Sequence, residues 1–173
     1  ILIAGIVLVG GATRLTGSGL SMVDWRPIMG SIPPMTTAAW DATFNAYQQS
    51  PEFQKINFNM TLSEFKSIFF WEYIHRMLGR LIGLFAVIPF LYFSYKKQLP
   101  TGFKKRWIGV IFLIGGQGLM GWYMVKSGLV DNPHVSHFRL AAHLSLAFII
   151  FILIFREFLA IQFDSLQRIK PSK

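Results

Sequence analysis

The sequence predicts an all-α integral membrane protein, a four-helix bundle with one long loop on its outer side. Three observations predict it. First, 53% of the 173 residues are hydrophobic and seventeen are Phe, more apolar surface than a soluble domain of this length can bury. Second, the apolar residues fall in runs close to the length that a bilayer core about 30 Å thick demands, roughly 20 residues at about 1.5 Å each. Third, the charges collect between the runs, and the few inside them fall on one helical face. Inside lipid every backbone polar group needs an internal partner, so each run is read as α-helix.

The chain opens on ILIAGIVLVGGA, an apolar run over about 1–12 that is short for a span. It is read as the far end of a helix whose beginning precedes Ile1. No signal peptide is visible. The second span is expected over 68–95, the third over 107–125 (WIGVIFLIGGQGLMGWYMV) and the fourth over 138–159. The chain counts as one membrane domain, without internal repeat.

Loop charge orients the bundle. KKQLPTGFKKR, between spans two and three, holds only basic charges, and Arg156, Arg168, Lys170 and Lys173 follow the fourth apolar core. By the positive-inside rule both face the cytoplasm or matrix. The outer loop, about 13–67, balances Arg14, Arg26, Lys55 and Lys66 against Asp24, Asp41, Glu52 and Glu64. The net charge of +9 is therefore a topological signal, and nucleic acid is not expected as a partner. Trp71, Tyr73, Trp122 and Tyr123 suit the outer interface, and Tyr92, Tyr95 and Trp107 the inner one. With no Cys, the chain has neither disulfide nor thiolate metal ligand.

Within the outer loop, TTAAWDATFNAYQQSPEF spaces Trp40, Phe44 and Tyr47 as one face of a short amphipathic helix, capped by Thr36 or Thr37. It either lies on the membrane surface, the plainer reading, or closes a site below as a lid.

The chemistry concentrates in WEYIHRMLGRLIG, residues 71–83. Glu72, His75, Arg76, Gly79, Gly83 and Ala86 share one helical stripe. Ionisable groups in a span face the bundle interior or a cavity. Span four repeats the theme with Arg139 and His143, four residues apart. Spans two and four run in the same direction, and both histidines are expected roughly 8–10 Å inside the outer interface. Two neutral imidazoles at one depth suit the two faces of a metal macrocycle, and axial His is a standard haem ligand. Arg76, Arg80 and Arg139 suit propionates. Taken singly, each His reads as a helix–helix hydrogen-bond partner; the matched pair favours haem. His134 and His137 read as solvated loop residues. Glu72 is either an i,i+4 ion-pair partner of Arg76 or a carboxylate handling protons at the ligand's edge. Gln117 reads as interhelical glue, and Gly79 with Gly83 as close packing or room for a flat ligand.

On GGATRLTGSGLSMVDWRPIMGSIPP, PEFQKIN, EFKSIFFWEYIHRMLGR, GGQGLMGWYMVKSGL and FRLAAHL, the sequence resembles the haem A synthase family, of the cysteine-free mitochondrial and proteobacterial type. The resemblance covers nearly the whole chain. It implies the first of two pseudo-symmetric four-helix halves, in the bacterial plasma membrane or the mitochondrial inner membrane. It implies an oxidoreductase that converts a methyl group of haem O to the formyl group of haem A for terminal oxidases. It places the substrate haem between His75 and His143, with Glu72 catalytic and Arg76, Arg80, Arg139 and Gly79 about the pocket. It places an electron-supplying haem b in a second half. It implies haem O and the bilayer as partners, with haem O synthase, oxidase assembly factors and self-association as further expectations. Two other readings stand beside it: a bis-His b-type cytochrome for electron transfer, and an assembly factor that binds no haem.

Overall fold

A computed structural model describes residues 1–23, 29–129, 133 and 135–169, with the side chains of Met29 and of residues 164–169 left aside. His134, Asp24 and Arg26 lie outside the described residues. Six α-helices and one 3-10 turn make up the fold: α1 (Leu2–Leu15), the turn at Met29–Ser31, α2 (Thr37–Gln48), α3 (Pro51–Lys55), α4 (Leu62–Tyr95), α5 (Phe103–Gly128) and α6 (His137–Ile169). There is no strand among them. Three helices, α4, α5 and α6 as far as Phe163, are long and apolar enough to cross a membrane, and α1 is a shorter apolar helix.

The four long helices form a ring. α1 packs on α4, α4 on α5, α5 on α6, and α6 returns to α1. Consecutive helices run in opposite directions, so α4 and α6 are co-directional and stand diagonally across the bundle. Hydrogen bonds lock two seams. Trp107 Nε1 donates to the Ala86 carbonyl at 3.0 Å between α5 and α4, and Gln117 Nε2 donates to the His143 carbonyl at 2.9 Å between α5 and α6. Gly102, at φ +76°, makes the left-handed turn into α5 that only glycine takes without strain. Leu84, Phe85, Ile88, Phe112, Phe148 and Ile152 are exposed on the outer faces. An apolar surface of this extent is matched by lipid and not by water.

The buried core lies at the N-terminal end of α4, and it explains where that helix begins. Thr61 and Glu64 form a capping box, which starts α4 at Leu62, ahead of the expected span. The extra turns put Phe65, Ile68 and Phe69 against Tyr47 and Met22, with Trp40 and Phe44 packed around them. Tyr47 stacks on Phe65 at 4.9 Å, and Trp40 meets the edge of Phe69 at 5.1 Å. The amphipathic segment therefore packs its aromatic face on the head of α4. It is also two helices: Thr36 caps α2, and Ser50 caps α3 with Pro51 at its first turn, where a missing N–H costs nothing.

This cap carries its own acid. Glu52 is buried, accepts a hydrogen bond from Tyr47 Oη at 3.0 Å, and Asn57 Nδ2 donates to that hydroxyl at 2.8 Å. Burial pushes the Tyr47 phenol well above its ordinary value, so it remains a donor. Burial chiefly, helped by the charge of Glu72 and opposed by the Tyr47 hydrogen bond, pushes the Glu52 carboxyl up from 4.5 to about 7. A raised carboxyl favours the protonated fold. Its stabilisation is complete below about pH 4.5 and is lost as pH rises through about 7. The full effect is about 3 kcal/mol, of which about 1 kcal/mol falls between pH 6 and pH 8. Proteolysis of the cap is expected to quicken over that interval, and Glu52→Gln is expected to flatten the dependence. A cleavage rate equally pH-dependent in Glu52→Gln rules Glu52 out as the cause.

Candidate functional site

The site grows from the head of α4. Glu72 is 2% exposed, and its contacts are all donors. Ser21 Oγ donates to Oε2 at 2.6 Å, Met22 N–H to the same oxygen at 2.8 Å, and Arg76 pairs with Oε1. Arg76 also donates to the Met22 carbonyl at 3.0 Å. One turn of α4 thus grips the loop segment at Ser21–Met22 from both sides of a peptide. A residue earlier, Leu20 packs on α5, where a Cβ on Gly128 would lie 2.8 Å from a Leu20 methyl. The GSGLSM segment is consequently a roof joined to α1, clamped to α4 and seated on α5. Tyr73 adds a further tie, donating to the Ser31 carbonyl at 2.8 Å.

Beneath the roof stand the two histidines. His75 turns toward α1, and a Cβ on Gly10 would lie 3.0 Å from His75 Nε2. His143 turns toward α5, and a Cβ on Gly121 would lie 3.3 Å from His143 Cε1. The two imidazoles are within electrostatic reach of each other, although their helices are diagonal. Each ring therefore occupies space that any side chain larger than glycine would contest. Gly11 meets nothing within 4 Å and serves as the control. Gly11→Ala is expected to gain up to about 1 kcal/mol from helix propensity. Gly10→Ala is expected to forfeit that gain, losing about 1 kcal/mol to crowding against His75. Thermal unfolding of the two variants in detergent checks the contrast, and equal behaviour removes the contact from the account.

The remaining expected residues scatter around this pair. Gly79 is exposed, with Ile6 the nearest atom a Cβ would meet at 3.8 Å, and Gly83 meets nothing within 4 Å. Arg139 lies over the Tyr123 ring at 4.6 Å. Arg80 is half-buried on α4. His137 is the first residue of α6. Sequence reasoning missed Ser21, Leu20, Gly10 and Gly121, which are contacts across the fold. It also missed Glu157, an acid inside an apolar run. Glu157 is 3% exposed and pairs with Arg106 at 2.8 Å and with Arg156 at 3.4 Å. A lone acid within the fourth hydrophobic stretch was the signal that could have found it.

Lipid-facing apolar helices around a polar, roofed core define an integral membrane helical bundle with an intramembrane site. The chain matches the family of cytochrome oxidase assembly proteins described as COX15-CtaA over residues 1–172, and it belongs to that family. It is 57% identical over 157 residues to the heme A synthase of Nitrosospira multiformis, a match that takes in 89% of this chain and 43% of that protein. It is 53% identical to the heme A synthase of Ehrlichia canis, over 90% of this chain and 45% of the relative. It is 52% identical to that of Nitrosomonas eutropha, over 89% and 43%. The chain spans less than half the length of these relatives. No solved structure matches.

Proposed function

We propose that this chain forms the substrate-haem site of a haem A synthase, in which a methyl group of haem O is oxidised to the formyl group of haem A. The observation that carries the proposal is the pair His75 and His143, borne by diagonal, co-directional helices and seated on Gly10 and Gly121 beneath a clamped roof. The residues fit the group. The donors are imidazoles, His143 Nδ1 is buried without a partner, and basic side chains stand nearby for carboxylates. Among the described residues no cluster of three or more His, Cys, Asp or Glu offers another metal site.

When bound, the haem supplies the redox chemistry. The chain's share is placement. His75 and His143 are the residues that would hold the iron. Arg80 and Arg139 are the cations for the propionates, and Arg76 divides its charge between Glu72 and the Met22 carbonyl. Glu72 keeps the roof shut against water and is the nearest acid to take up protons released by the oxidation. An apolar groove of about 620 Å³ between α4 and α5, lined by Val87, Phe90, Ile111, Gly115 and Leu119, accepts an isoprenoid tail. The basic α4–α5 connection faces the cytoplasm or matrix. Haem b and the electrons it delivers belong to the remaining part of a relative-sized protein.

The test supplies haem O, a reductant and dioxygen as the oxidant to the intact protein that carries this chain, followed by extraction of the pigment. Formyl-bearing haem is the expected product. Haem that is bound but chemically unchanged under every donor tried overturns the enzyme reading in favour of an electron-transfer cytochrome.

A further inference from the structure

Gln117 and His143 are already in contact through the donation from Gln117 Nε2 to the His143 carbonyl at 2.9 Å. Each nevertheless keeps a buried side-chain atom without a partner, Gln117 Oε1 and His143 Nδ1. One is an acceptor lacking a donor. The other is a ring nitrogen that becomes a donor in the tautomer presenting Nε2 to a metal. Gly121, one turn along α5 from Gln117, carries the other edge of the same ring, with Cε1 and Nε2 at 3.3 and 3.8 Å from a Cβ built there. So α5 supplies both the surface on which the imidazole lies, at Gly121, and an amide bonded to the backbone of the same residue. Two orphaned, complementary atoms on adjoining residues are costly in a low-dielectric interior, and joining them removes both costs.

We propose that Gln117 is a positioning residue for His143. Its side-chain oxygen accepts a hydrogen bond from His143 Nδ1–H, directly or through one water, and this fixes the tautomer that leaves Nε2 for the haem iron. The inference rests on the haem reading above and deepens it. Partners of this kind orient a ligating imidazole and raise its basicity, and changing them typically alters affinity about 10–100-fold. The competing arrangement has Nδ1 bonded to a backbone carbonyl of α6, with Gln117 serving only as a tie between helices.

The experiment loads the intact protein with iron protoporphyrin IX. It compares Gln117→Glu, Gln117→Met and His143→Ala by haem content, midpoint potential and the electron paramagnetic resonance of the ferric low-spin haem. Gln117→Glu keeps an acceptor and strengthens it, so the potential is expected to fall with haem content near that of the parent. Gln117→Met keeps length without the acceptor, so the potential is expected to rise, with haem retention about 10-fold weaker. Opposite shifts in the two variants support positioning. If His143→Ala lowers haem content by one equivalent, haem b elsewhere in the intact protein remaining, while both Gln117 variants leave potential and spectrum unchanged, the positioning role is overturned and the haem site stands. If His143→Ala leaves haem content and spectrum unchanged, the haem reading itself is overturned.

Discussion

Replacing His75 or His143 by alanine is expected to weaken haem retention by at least about 100-fold, beyond the range that outer-shell changes produce. On the proposed haem reading, either substitution removes a ligand and leaves a cavity beside a glycine. The rings sit against Gly10 and Gly121, which offer no side chain in exchange. Pyridine haemochrome content of the purified protein checks the expectation. A similar loss in both variants marks one shared haem. A loss in His75→Ala alone would mean that the α6 imidazole serves only the packing of helices, and retention in both would leave the assembly-factor reading standing. The folded state of each variant is read from its resistance to detergent unfolding, since neither imidazole is a protein hydrogen-bond hub.

Glu72→Gln is expected to free the roof, with a cost of about 3 kcal/mol, the lower end of what breaking a buried ion pair takes. The carboxylate accepts from Ser21 Oγ, Met22 N–H and Arg76, so an amide nitrogen at either oxygen position sets donor against donor. Arg76, half-buried, is also left without its ion-pair partner and keeps only the Met22 carbonyl. Hydrogen exchange at Met22 is the direct measurement, and protection equal to that of the parent defeats the clamp. The same variant separates the two roles of Glu72. If the roof stays docked and product disappears, Glu72 acts on protons. If the roof opens while haem stays bound, Glu72 acts chiefly as a fastener.

The helices were legible because lipid imposes one solution on an apolar run, and hydropathy with loop charge is enough to find it. The helical character of α4, α5 and α6 followed directly. The head of α4 did not, because its first turns are amphipathic and their apolar side chains meet residues far away in sequence. Phe65 finds Tyr47 and Phe69 finds Trp40 only after the loop folds back. The single helix read in the loop became two, with Ser50 and Pro51 starting the second. That pair was visible, but the aromatic spacing outweighed it. The histidine pair was legible because intramembrane imidazoles are rare enough to stand out. The glycines that seat them were not, because a glycine announces room without naming its occupant. The i,i+4 pairing of Glu72 with Arg76 could be read from spacing alone, whereas the grip on Ser21 and Met22 needed a fold to bring the loop back.

The described part of the roof continues from α1, is pinned to α4 and rests on α5. Those three helices are thus strapped into a frame at the end where α4 begins. α6 is fastened to that frame from the side, through Gln117 and through the ion pair of Arg106 with Glu157. α6 therefore leans on the rest of the bundle chiefly through α5, the helix that carries both Gln117 and Arg106.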